Sequence, residues 1–275
     1  MKRARALCLT LAWALALAAA ARAQAPDVRV SAIPEYTAVH PGGTFRVAVR
    51  LRLPAGWHIG WLNPGADGLA TTIAWHVPAG LSGGTTEWPY PETDDAGGEI
   101  SHVYRGTVVL FSSFAVGTGV AGPVELSGDL NWGICRIVCV QQHHTVTITV
   151  PVARDVAARS SMWAEAAAAM RLLPMRERGA GFDAIPEGDS VRLAMTGLRA
   201  GPAPGSWVTF FPLEPGRRSV VVPVRTIPGG IAVLLPRAVV SGAPTARLSG
   251  VLVAAHAPGA PPPMRALAVD VPVTK

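Results

Sequence analysis

Cysteine is scarce in this 275-residue chain, with three in all. Cys8 sits in an apolar leader, which leaves Cys135 and Cys139 as the pair a mature protein would keep. That scarcity excludes a disulfide-dense scaffold. Long apolar runs are equally scarce. After the leader no stretch approaches about 18 uninterrupted apolar residues, so no membrane-spanning helix is expected. Charge of one sign is also missing once the leader is set aside. Residues 1–23 carry Lys2, Arg3, Arg5 and Arg22, so the 24 basic residues fall to 20 against 18 acidic ones, a net of +2. The sequence pI of 9.9 is therefore no footprint of a nucleic-acid partner.

The leader itself is informative. A basic start is followed by an apolar run from Ala6 to Ala20 and then by Ala21-Arg22-Ala23, a small-x-small cleavage site. This is the pattern of a cleaved secretory signal peptide, which places the mature chain in an oxidising compartment. The remaining 252 of the 275 residues suit two modest domains or one large sandwich. Together 29 glycines and 25 prolines make up close to a fifth of the chain. That is above the usual ~12% yet short of a disordered composition, and it suggests short strands joined by Gly/Pro turns.

Residues 44–53, TFRVAVRLRL, alternate strictly: Phe45, Val47, Val49, Leu51 and Leu53 against Arg46, Arg50 and Arg52. Only a half-buried strand has that period. TVTITV (145–150) repeats it, and further strands are expected at 71–77, 105–114 and 124–132. Antiparallel strands at this spacing point to an immunoglobulin-like sandwich. From Ala153 to Pro174 the texture becomes rich in Ala, Arg, Glu and Leu, which predicts a helical connector. Strands resume near Gly181, and the two β regions close alike, TITVPVA against AVDVPVT. The expected fold is all-β: a leader at 1–23, a first sandwich at 24–153, a helical connector at 154–180 and a second sandwich at 181–275.

Two motif matches lack a mechanism. GLSGG (80–84) places Ser82 in a G-x-S-x-G pattern, but no helix can follow it, so it is read as a glycine turn. GTGVAG (117–122) matches a dinucleotide fingerprint without a helix to receive phosphate. His40, His58 and His76 are scattered and are read as surface or packed residues. No cofactor is expected.

NWGICRIVCVQQHH (131–144) holds the chemistry. Along an extended strand, Cα atoms four residues apart lie about 13 Å from one another, whereas a disulfide needs roughly 4.4–6.8 Å. Bonding Cys135 to Cys139 therefore requires the chain to fold back as a tight turn or a single helical turn, which predicts one strand broken by a bulged turn with Ile137 or Val138 presented beside the sulfurs. A five-residue loop contributes only about 2 kcal/mol as a staple, which favours an exchangeable bond over a structural one. Two other readings stand beside it: an inert disulfide in a binding or scaffold module, copper-related or not, and a copper or zinc site using Cys135, Cys139 and His143. Against the metal, Cys-x3-Cys-x3-His-His matches no zinc pattern, and His143 and His144 point to opposite faces of a strand. Trp132 and Ile134 are expected to crowd Cys135 from the sandwich side. Cys139 opens toward solvent, and His143 is a candidate source of positive charge for a Cys139 thiolate.

GWHIGWLNPGADGLATTIAW (56–75), EWPYPE (87–92), YRGTVVL (104–110) and NWGICRIVCV (131–140) occur in that order. Over residues 26–153 this resembles the amino-terminal periplasmic domain of the DsbD/ScsB thiol:disulfide interchange family, nearer the ScsB-like branch. The region from 181 resembles that branch's second sandwich. The resemblance implies a cysteine pair that passes electrons to thioredoxin-like periplasmic partners and is itself supplied by a membrane electron-donor protein. It also implies a cap over the pair, for which YPETDDAGGEISHV (90–103) is the candidate, flanked by Tyr90 and Tyr104. By the same resemblance Cys139 forms the mixed disulfide and Cys135 resolves it. The wider cysteine spacing of the DsbD branch differs from the one here. With no membrane segment or thioredoxin-like domain in the sequence, either separate proteins supply the electrons or the chain is a free-standing module with a different partner set.

Overall fold

The computed structural model describes residues 26–65, 68–155, 157–199, 201–239, 247–254 and 266–274. The expected signal peptide and Cys8 lie outside them. The first region builds ten strands: β1 (Arg29–Pro34), β2 (Thr44–Arg52), β3 (His58–Gly65), β4 (Thr72–His76), β5 (Leu81–Glu87), β6 (Glu92–Ala96), β7 (Glu99–Arg105), β8 (Thr107–Val116), β9 (Val124–Cys135) and β10 (Cys139–Val150). They form one sheet in the order β1-β2-β8-β5 and another in the order β10-β9-β3-β7-β6, with β4 also pairing β9. Every pairing is antiparallel.

The alternation at 44–53 decides the packing of β2. Phe45, Val47, Val49 and Leu51 enter the core between the sheets with Trp61, Tyr104, Leu126, Trp132 and Ile134. The face carrying Arg46, Arg50 and Arg52 is not left to water. A short helix, α1 (Trp163–Ala168), extended by a 3-10 turn at Ala169–Leu172, lies over it. Trp163 and Ala166 pack on Ile33, Ala48, Val109 and Phe111. Glu165 accepts hydrogen bonds from Arg50 at 2.8 Å and Arg52 at 2.9 Å, and Arg50 foremost, then Arg52, hold its carboxyl below the usual range. The helix is shorter than its Ala-rich sequence allows. Residues before it are drawn out by pairing with the 35–37 segment: the Thr37 amide donates to Ala158 O and the Ser160 amide to Glu35 O. Ser82 lies within β5 rather than in a turn, because Leu81 to Glu87 pair along β8 through an irregularity between Gly83 and Thr85.

The second region contains β11 (Gly181–Glu187), β12 (Ser190–Thr196), β13 (Trp207–Pro212), β14 (Val220–Pro223), β15 (Arg225–Ile227), β16 (Gly230–Pro236), β17 (Arg247–Ala254) and β18 (Leu267–Pro272). Two four-stranded sheets result, ordered β11-β12-β16-β15 and β14-β13-β17-β18. The second of these is apolar on both faces. Val208, Phe210, Leu248 and Leu252 fill its own core, while Phe211, Val251 and Val253 belong to the core of the first sandwich. Strands buried on both sides lose the period-2 signal, which is why the adjacent residues Phe210 and Phe211, and the run Val251-Leu252-Val253, are apolar without alternation.

Polar groups complete this junction. Asn63 of β3 donates to Pro212 O at 2.7 Å and to Arg217 O at 2.9 Å, and accepts from the amides of Gly65 and Gly216. His102 of β7 lies buried against Trp61 and Phe211. Its Nδ1 meets Asn63 O at 2.8 Å and its Nε2 accepts from the Ser219 amide at 3.0 Å. That pairing requires the neutral, Nδ1-protonated ring.

Candidate functional site

β9 and β10 are two arms of one hairpin, paired from Val124↔Val150 to Cys135↔Cys139. Their closing residues are the two cysteines. Three residues, Arg136, Ile137 and Val138, make the turn, which brings the cysteine Cα atoms to 4.1 Å, and the sulfurs are bonded. A directly opposed antiparallel pair already approaches to about 4.5–5.5 Å, so the sheet register itself delivers the geometry. The fold-back expected from chain length is thus a hairpin tip, not an interruption within one strand.

The two sulfurs sit in different surroundings. Cys139 is exposed, whereas Cys135 is 7% exposed. The turn stands clear of the body, with Ile137 95% and Val138 72% exposed. Trp132 and Ile134 point into the sandwich core, on the face opposite to Cys135. Cys135 is instead covered from the outer face of the sheet, where a cleft of about 260 Å³ is lined by His58, Asp94, Glu99, Val103 and both cysteines, among others. Gly60 shapes its floor, because a Cβ there would lie 2.4 Å from the carbonyl oxygen of Leu69. Two larger hollows, of about 530 and 560 Å³, lie beside His76 and His40, away from the cysteines, and hold no comparable chemistry.

The segment 90–103, expected to cap the pair, forms the β6–β7 hairpin and supplies the wall of the cleft opposite the disulfide. Arg105 braces it by ion pairs to Asp94 at 2.6 Å and Glu92 at 3.3 Å. The tip is held from the second sandwich, where Arg218 bonds Glu99 and Gly98 O.

The other sequence-predicted residues are not gathered at the sulfurs. Trp132 is buried and donates its indole N–H to Gln142 at 3.1 Å. Tyr104, in the core, donates to Pro89 O at 2.6 Å, and burial raises its phenol well above the ordinary value. Tyr90 packs by the connector, its amide donating to Leu172 O. Burial raises its phenol too, against the pull of Arg171. His143 pairs with Asn131, about 13 Å along β10 from Cys139, and its side chain faces solvent. Among the described residues no group of three or more His, Cys, Asp or Glu side chains is placed to hold a metal ion.

His58 is the residue the sequence reading passed over. It pairs with Cys135 across β3 and β9, and burial lowers its pKa while Asp94 raises it and Arg105 lowers it further. A histidine beginning a strand gives no local signal of which cysteine will lie beside it.

A disulfide closing a surface hairpin, half open and half walled by a second hairpin, on an immunoglobulin-like sandwich defines a class of protein that presents a sulfur pair to other molecules. Residues 29–151 match the family model of the N-terminal domain of the thiol:disulfide interchange protein DsbD. The crystal structure of the N-terminal periplasmic domain of ScsB from Proteus mirabilis matches with TM-score 0.57 over 90% of this chain and 92% of that one, at 16% identity, and shows the shared fold. The reduced N-terminal domain of DsbD from Neisseria meningitidis is similar over 46% of this chain and 89% of that one, at 18% identity and TM-score 0.27. No curated relative matches the sequence. Family and disulfide together support thiol–disulfide exchange as the general chemistry of the site. Among the described residues no helix is long and apolar enough to cross a membrane.

Proposed function

We propose that the chain is a periplasmic electron carrier whose Cys135–Cys139 pair, reduced by a membrane donor protein, reduces disulfides of thioredoxin-like partners. Cys139 attacks the partner and holds it as a mixed disulfide, and Cys135 displaces it. The asymmetry of the pair carries this reading: Cys139 is exposed at a protruding turn, and Cys135 is walled in behind it. Exchange demands in-line access to one sulfur and proximity of the other. The exposed Ile137 and Val138 add apolar surface where a partner would seat.

Variants with one cysteine test it. Mixed with an oxidised thioredoxin-fold protein, reduced Cys135→Ala is expected to accumulate a covalent complex on non-reducing gels, and Cys139→Ala is not. Trapping by Cys139→Ala alone would reverse the assignment. A wild-type disulfide that no thioredoxin-fold dithiol reduces, with a reduction potential below about −300 mV, would return the bond to a structural role.

A further inference from the structure

Four residues stand in one row across the outer face of the second sheet of the first sandwich. Cys139 pairs with Cys135, Cys135 with His58 and His58 with Arg105. Directly opposed residues share a face, with Cβ atoms about 4.5–5.5 Å apart. His58 is thus the lateral neighbour of Cys135 on the side away from Cys139, and all three line the same cleft.

The exchange reading leaves one chemical demand unmet. Resolution needs a thiolate at Cys135, yet Cys135 is the enclosed member of the pair, and desolvation disfavours a buried thiolate. A neighbouring base is required. Asp94 faces the cleft from β6 but is paired with Arg105. Glu99 faces it from β7 but is paired with Arg218. Glu92, next along the same wall, is likewise paired with Arg105, and Arg105 and Arg136, the remaining charged groups there among the described residues, accept no proton. The His58 ring carries no hydrogen bond among the described residues, and burial lowers its pKa, which favours the neutral ring that can accept a proton.

We propose that His58 is the general base that takes the proton of Cys135 as this thiol resolves the mixed disulfide. The proposal rests on the exchange reading above and adds its proton acceptor. In the step, Cys135 Sγ attacks Cys139 Sγ. The Cys135–Cys139 bond forms, the bond from Cys139 to the partner sulfur breaks, and its electron pair leaves with that sulfur. The Cys135 proton passes to the imidazole and from there to the departing thiolate or to water. The dithiol of the chain is oxidised by two electrons, and the disulfide of the partner is reduced by the same two.

The aromatic disulfide dithiobis(nitrobenzoate) separates the two chemical steps, because the reduced protein releases one coloured thiolate when Cys139 attacks and a second when Cys135 closes the ring. In His58→Gln the second release is expected to slow about a hundredfold at pH 7, the low end of what a positioned base supplies. The first release, measured alone in Cys135→Ala, stays unchanged when His58→Gln is added. The rate of the second phase in the wild type should level off above a bend below pH ~6.5, the free imidazole value. In His58→Gln it should keep rising toward the thiol range near ~8.5. Asp94→Asn should move the wild-type bend to lower pH. His58→Asn serves as a second variant, with thermal melting to confirm the fold of both. A second phase that keeps the wild-type bend in His58→Gln, whether at full or reduced rate, overturns the assignment, since a packing role alone slows the step without reshaping its pH dependence. A parallel arm with a reduced thioredoxin-fold protein tests exchange itself. Failure there removes the carrier reading and leaves the ring-closure result to stand or fall alone.

Discussion

Cys135 and Cys139 are opposed in register and joined by a bond, yet one is enclosed and the other open. The difference comes from their neighbours. His58 and the 94–103 wall stand beside Cys135, while β10 is the edge strand, so Cys139 has open space on its far side. The bond is also cheap to lose. The hairpin it closes is already held by the backbone pairing of twelve residues on each arm. The cross-link constrains only a five-residue loop, about 2 kcal/mol in the chain-entropy model. Reduction should therefore lower the melting temperature by roughly 4–8 °C for a chain of this size and leave the fold intact. Melting curves with and without reductant check this, and unfolding on reduction would mark the bond as a staple.

The element that governs access is the β6–β7 hairpin. Its Arg105 braces are internal, but its tip is tied to the second sandwich through Arg218. Those side chains are about half exposed, and an exposed ion pair is worth ~0–1 kcal/mol. Arg218→Ala should thus speed alkylation of Cys135 in the reduced protein by at most about fivefold, the population change that 1 kcal/mol allows. Deleting 93–99 removes the wall and should speed it further. Cys139, already exposed, should change little in either variant. Mass spectrometry of each cysteine over time reads both rates, and equal Cys135 rates in all three proteins would mean that this hairpin does not cover the site.

The whole molecule is held at a junction where an apolar sheet face meets the first sandwich around Asn63 and His102. Burial lowers the His102 pKa, opposed by its hydrogen bond to Asn63 O. Because the folded value lies below the unfolded one, the unfolded chain binds the extra proton first as pH falls. The stability that this histidine contributes is complete above about pH 6.5 and is lost as pH drops through the lowered folded value. Protonation would also turn Nε2 into a donor facing the Ser219 amide. Stability measured by denaturant between pH 7.5 and 5 (both approximate limits of the window) should fall in the wild type and fall less in His102→Gln. Identical slopes would assign the pH dependence elsewhere, with His58, shifted in the same direction, the next group to vary.

Strict alternation made β2 and the 145–150 part of β10 legible, since that period depends only on residues two apart, whereas β5, read as a glycine turn around Ser82, carries no such pattern. Chain geometry alone required residues 135–139 to fold back if the cysteines bond, because an extended segment cannot shorten from about 13 Å to bonding distance. What alternation cannot say is what covers each face. The arginine face of β2 lies under α1, and Phe210 and Phe211 enter different cores. Both depend on layers that meet only when the chain is folded. The same holds at the site. His58 becomes the neighbour of Cys135 through the sheet order β9-β3, and Arg218 reaches Glu99 across 119 residues of sequence. Local pattern fixes faces and periods, but lateral neighbours in a sheet are set by strand order and register, which arise from closing the whole core.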